Sequence, residues 1–209
     1  MAQNKILYSF GKVILWPVYK LLYRFKVKNK SAIPAQGGVI LASNHMSFAD
    51  PVLLGLAQKR RLYFMAKSEL FRNKFAAAVI RALGAFPVER GAGDGKAIKT
   101  GEDILREGNV MTIFLEGGRT KTGELMRPRS GCALVAQQMQ LPVVPCCITK
   151  KNFKHKFSAT TIHFGNPLSP EELGLTPDGG RRELKNASNR IMDEIKRMRE
   201  EDASEYQKG

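Results

Sequence analysis

From Gly38 to Phe164 the chain alternates short apolar runs with amphipathic stretches, and this alternation is the strongest constraint on its fold. Val39-Ile40-Leu41-Ala42, Leu62 to Ala66, Val110 to Leu115, Val143 to Ile148 and Thr160 to Phe164 have the length and composition of buried strands. Phe86-Pro87-Val88 is short and extended. Between these runs, Pro51 to Ala57, Phe75 to Leu83, the stretch holding Ala97, Ile98, Ile104 and Leu105, and Cys132 to Met139 read as helices, the third ending at Gly108. The tail from Arg181 to Glu201 places Leu184, Ala187, Ser188, Ile191, Ile195 and Met198 on one helical stripe. Strands alternating with helices predict one α/β domain over residues 31–209, with a mixed, largely parallel sheet flanked by helices.

Residues 1–30 have a different character. Lys5, Lys12, Lys20, Arg24, Lys26, Lys28 and Lys30 stand among bulky apolar and aromatic side chains, with no acid between them. The longest uncharged run, Val13 to Tyr19, falls far short of the roughly 20 residues that cross a bilayer. The pattern fits amphipathic helices lying in a membrane interface, lysine stems reaching toward anionic headgroups. An ordinary helix packed on the domain would show similar periodicity. Pro17 is expected to divide the segment into two short pieces.

Thirty-four Lys and Arg against 19 acids leave a net charge of +15, which calls for a polyanionic partner: nucleic acid, an anionic membrane surface or a phosphate-bearing substrate. Cys132, Cys146 and Cys147 lack metal-site spacing and read as small buried hydrophobes in a reducing compartment. No cleavable leader is expected, because Lys12 interrupts the apolar stretch.

Three polar segments follow the apolar runs, where α/β sheets bind ligands. They are Asn44-His45-Met46-Ser47-Phe48-Ala49-Asp50, Glu89-Arg90-Gly91 and Glu116-Gly117-Gly118-Arg119. Asp50 lies five positions after His45, close enough for its carboxylate to fix one imidazole nitrogen and make the other a better base. Asp50 before Pro51 is equally an ordinary helix start, Asp at N-cap and Pro at N1. Glu116 ends an apolar strand, where a carboxylate is costly unless paired or hydrogen-bonded. Arg90 and Arg119, each beside glycine, offer planar donor forks suited to phosphate, although either alone could be a solvated surface charge.

Taken in order, Asn44-His45-(x4)-Asp50, Gly84 to Arg90, Phe114 to Arg119 and Leu141-Pro142-Val143-Val144-Pro145 resemble the four motif blocks of the HxxxxD glycerolipid acyltransferase family, over about residues 38–150. The resemblance implies an O-acyltransferase of the 1-acylglycerol-3-phosphate type. Such an enzyme moves a fatty acyl group from acyl-CoA or acyl carrier protein to the free hydroxyl of lysophosphatidic acid, giving phosphatidic acid for phospholipid synthesis. It also implies that His45 is the general base, that Asp50 orients it, and that Arg90 and Arg119 bind phosphate. Glu116 and Gly117 match the acceptor-site motif, Lys67 resembles a further basic position near the phosphate, and Pro145 belongs to the donor side. No acyl-enzyme, cofactor or metal is implied. The expected location is the cytoplasmic face of the cell membrane, peripheral or monotopic.

The third block departs from its usual Phe-Pro-Glu-Gly-Thr-Arg form, with Leu115 for proline and Gly118 for threonine. The charged residues survive and with them the expected reaction, but a lost hydroxyl bears on the acceptor, so glycerol 3-phosphate or another lysolipid is the alternative. Gly91 to Ala97 is glycine-rich yet misses the phosphate-loop spacing and has Ala97 where Ser or Thr would bind magnesium. A basic nucleic-acid module is also disfavoured. The cationic runs lack interleaved aromatics, and the tail mixes its bases with Glu183, Asp193, Glu194, Glu200 and Glu201.

Overall fold

Every residue of Val39–Ser43 is buried, and its side chains divide by alternation: Ile40 and Ala42 enter one core cluster, Val39 and Leu41 the other. A strand apolar on both faces requires helices on both faces, and that requirement organises the computed structural model, which describes residues 5–88 and 95–208. Its elements are α1 (Lys5–Tyr23), β1 (Lys26–Lys28), β2 (Val39–Ser43), α2 (Asp50–Ala57), β3 (Leu62–Lys67), α3 (Lys74–Ala82), β4 (Ala85–Val88), α4 (Gly95–Arg106), β5 (Val110–Phe114), α5 (Gly131–Met139), β6 (Val143–Lys150), β7 (Thr160–Phe164) and α6 (Arg181–Lys208).

Among the described residues, seven strands form one sheet in the order β1-β7-β6-β2-β5-β3-β4. β6, β2, β5, β3 and β4 run parallel, while β7 is antiparallel to β6 and carries β1 parallel to itself at the edge. This is the mixed, largely parallel sheet expected from the sequence. Side chains of α4, α5 and α6 cover one face, including Leu105, Val135, Ala187, Ile191 and Met198. On the other face, α1 and α2 contribute Leu15, Tyr19, Tyr23, Leu53 and Leu54. Gly108, at φ +74, ends the α4 region in the left-handed conformation glycine adopts at little cost.

Two expectations are corrected. Pro17 does not divide the first helix: α1 is continuous through it. The cost of proline's missing N–H is offset by packing, since Tyr19, Leu22 and Tyr23 bury against α2 and the sheet, and Lys12 and Lys20 donate to the carbonyls of Gln58 and Phe25. In addition, Lys26–Lys28 form strand β1 and Phe25 is buried, so the sheet begins before residue 30. Three residues with lysine at both ends carry too weak a period to read as a strand. What fixes them is distant: Lys28 pairs at 2.8 Å with buried Asp202 of α6, which also accepts from Thr149 of β6 and His163 of β7.

Candidate active site

Parallel strands point their C-terminal ends to the same edge, so the segments following β2, β3 and β5 converge there. His45 follows β2, Lys67 ends β3, and Glu116 to Arg119 follow β5. Arg90 would follow β4, but it lies outside the described residues.

Asp50 is the hub. Its Oδ2 accepts the His45 Nδ1–H at 2.8 Å, the Met46 N–H at 2.6 Å and the Ser47 N–H at 2.7 Å, while Oδ1 accepts the Ser47 hydroxyl at 2.7 Å. A carboxylate serving as acceptor to three neighbours assigns the Nδ1 proton to His45 and leaves Nε2 with its lone pair. The helix-start reading needs correction here. Asp50 is the first residue of α2, and Ala49 holds the N-cap position without a side-chain bond. The carboxylate turns back to close the loop before the helix instead of capping the N–H groups within it. Asp50 is 1% exposed, whereas the His45 side chain keeps 16%.

The imidazole is held from below as well. Phe114 lies parallel to it, with ring centroids 3.9 Å apart and planes 13° from one another. Phe114 falls on the α1/α2 face of β5, the face opposite Met111 and Ile113, and strand alternation decides this. The backbone of His45 is pinned on both sides: its N–H donates to Glu116 Oε1 at 3.2 Å, and its carbonyl accepts from the Thr120 N–H at 2.9 Å. Glu116 Oε2 accepts the Met126 N–H at 3.2 Å, so both carboxylate oxygens are engaged. Burial pushes the Glu116 carboxyl above the usual range, and the two N–H donors oppose that rise. The cost of a carboxylate at the end of an apolar strand is thus met by backbone donors, one of them the N–H of His45 itself.

Gly117 has φ +68, and a Cβ there would lie 2.6 Å from the Arg129 side chain, so no other residue fits the turn without displacing that arginine. Arg119 is exposed, its guanidinium carbon 3.4 Å above the ring centroid of Phe48. Phe48 lies between His45 and Asp50 in the chain, so this contact holds the guanidinium beside the His45–Asp50 loop. Lys67 is exposed at the end of β3, on the same edge.

Sequence reasoning gave no role to Asn44, Ser47 or Phe114. Asn44 is fully buried and bridges β2 to β6, donating to the Ile148 carbonyl at 3.0 Å and accepting its N–H at 2.8 Å. A polar amide at the end of an apolar run, and Ser three positions before Asp50, were the available signals. The Phe114 contact crosses strands 69 positions apart and leaves no local trace. All three cysteine thiols are buried, and burial pushes Cys132 and Cys147 up to about 12, so none is poised as a thiolate. Among the described residues, no three His, Cys, Asp or Glu side chains gather to hold a metal ion.

A histidine held by a buried carboxylate, at the C-terminal edge of an α/β sheet that also carries an exposed guanidinium, is an arrangement suited to activating a substrate hydroxyl. Residues 24–149 match the family model described as Acyltransferase, and the chain belongs to that family. It is 34% identical to the 1-acyl-sn-glycerol-3-phosphate acyltransferase of Bacillus subtilis, over 82% of this chain and 87% of the relative. It is 30% identical to the Streptococcus pneumoniae protein of the same description, over 83% of this chain and 65% of that longer relative. The crystal structure of the 1-acyl-sn-glycerophosphate acyltransferase from Thermotoga maritima superposes with a TM-score of 0.73 at 21% identity, covering 94% of this chain and 78% of that one, which establishes the fold.

Proposed function

We propose that this chain acylates the free hydroxyl of lysophosphatidic acid, giving phosphatidic acid, with an acyl thioester as donor and no bound cofactor. The observation that carries the reading is the His45–Asp50 bond, which leaves Nε2 as the one imidazole nitrogen free to accept a proton. His45 removes the hydroxyl proton as the oxygen attacks the thioester carbonyl. Collapse of the tetrahedral intermediate breaks the carbon–sulfur bond, and the imidazolium returns its proton to the departing sulfur. Arg119 meets the acceptor phosphate, with Lys67 as a further cation at that edge, and Arg90 keeps the phosphate-binding role that the family resemblance implies. A methyl group at Gly118 would meet open space, so the absent threonine leaves room on the acceptor side. A panel of lysophospholipids and glycerol 3-phosphate, each offered with labelled acyl-CoA, tests this. Fastest transfer to lysophosphatidic acid supports the proposal, and preference for glycerol 3-phosphate or another headgroup overturns it.

Arg119→Ala is expected to raise the apparent KM for the phosphate-bearing acceptor by about tenfold, the scale of one charge-assisted contact. An unchanged KM would remove Arg119 from the phosphate site.

The reading places the enzyme on the membrane by the outer surface of α1. No described helix is long and apolar enough to cross a bilayer. Yet Val13 and Leu21 are 73% and 79% exposed on α1, with Ile14, Trp16 and Val18 also open, and Phe48 is 75% exposed beside the catalytic loop. Apolar groups exposed in this way, among lysines, suit an anionic interface. A Val13→Glu/Leu21→Glu variant is expected to lose binding to phosphatidylglycerol vesicles in a flotation assay while its circular dichroism stays that of the parent; retained flotation would show that α1 only packs.

A further inference from the structure

A second concentration of positive charge lies away from His45. A cavity of about 570 Å³ opens between residues 127–130 and the first turns of α6, lined by Arg127, Arg129, Arg181 and Lys185 together with Ser130 and Asn189. No carboxylate lines it, and among the described residues none of the four cations forms an ion pair. Arg181 and Lys185 are four apart in the opening turns of α6. Like charges at that spacing repel, and the positive end of a helix disfavours cations. Arg127 and Arg129 stand just before α5, whose N-cap Ser130 makes no side-chain cap bond. Four cations placed against two positive helix ends work against local stability, a conflict expected where a ligand is served. A bound anion would relieve both.

Two observations indicate which anion. The Arg129 N–H donates to the Leu115 carbonyl at 2.8 Å, and its side chain packs against Gly117, so the cavity wall and the Glu116–Gly117 turn share a residue. The cavity also lies on the α4–α6 face of the sheet, opposite the face that α1 covers. Its ligand therefore arrives from water, and its volume is that of a small-molecule site, which typically spans roughly 300–1,000 Å³.

We propose that this cavity binds the phosphate groups of a nucleotide thioester, the coenzyme A portion of the acyl donor, leaving Arg119 to the acceptor phosphate. The inference rests on the acyl-transfer reading above. The test uses the full chain and an Arg181→Glu/Lys185→Glu variant, with Arg181→Gln/Lys185→Gln as a milder second form. Free coenzyme A binding is measured by calorimetry, and steady-state kinetics are run with palmitoyl-CoA. Both the coenzyme A Kd and the donor KM are expected to rise by about tenfold or more, with kcat and acceptor KM held within about twofold. The unfolding temperature of the glutamine form is expected to rise, because the i,i+4 repulsion is gone; a merely structural role would lower it. Unchanged coenzyme A affinity overturns the proposal. So does a variant that loses only vesicle binding, or only transfer from acyl carrier protein, with its coenzyme A affinity intact. A parent that binds coenzyme A, weakened in the variant, yet acylates no lysophospholipid would sink the acyl-transfer reading and leave the cavity assignment standing.

Discussion

Replacing His45 by alanine is expected to lower acyl-transfer turnover by about 10²–10⁴-fold, the contribution of a positioned general base. The folded chain should survive the change. The bonds that pin this position, from the His45 N–H to Glu116 and from Thr120 to the His45 carbonyl, are made by backbone and persist in alanine. The ring's stacking on Phe114 is lost, a cost of about 1 kcal/mol, equivalent to about 2–4 °C in unfolding temperature for a chain of this size. Thermal melting beside a turnover assay separates the two effects. A folded His45→Ala protein that keeps near-parental turnover would place the base elsewhere.

Asp50→Ala is expected to damage stability and activity together. Removing the carboxylate strips acceptors from the N–H groups of Met46 and Ser47 and from the Ser47 hydroxyl, and frees the imidazole to exchange its tautomer. Each buried donor left without a partner costs about 1–3 kcal/mol, against a total stability of about 5–15 kcal/mol for an ordinary domain. The urea midpoint should therefore fall sharply, and turnover of the fraction still folded should fall toward that of His45→Ala. An unaltered midpoint would show that the loop is held by other means. Asp50→Asn serves as the finer probe: it preserves shape and one acceptor oxygen but turns an amide N–H₂ toward groups that are themselves donors.

The sheet and its helices were legible in the sequence because their signal is local. β2, β5 and β6 are largely apolar runs, and α6 carries one long stripe that buries at Ala187, Ile191, Ile195 and Met198. β1 was not legible, since its place is fixed by Asp202 from the far end of the chain. Nor was the continuity of α1 through Pro17, where tertiary packing outweighs local propensity. For the site, the spacing of His45 and Asp50 held the geometry in outline but left two readings of the aspartate, and only coordinates could show which donors its oxygens meet. Glu116 was marked by its cost at a strand end, yet the partner that meets this cost, the His45 N–H, lies 71 positions away. The basic cavity was not legible as a unit: its two halves are loop and helix separated by some fifty residues, and each alone looks like ordinary surface charge.

The double pinning of His45 bears on when the enzyme becomes active. Its N–H and carbonyl are secured by Glu116 and Thr120, and the neighbouring Asn44 clasps Ile148, 104 positions on. Closing such long stretches of chain is slow and cooperative. A ribosome-bound chain that has emerged only through α4 holds both His45 and Asp50 but lacks the strands that fix the loop around them. Catalytic competence thus waits on closure of the centre of the sheet, and α1, which precedes the sheet in the chain, is synthesised before that closure.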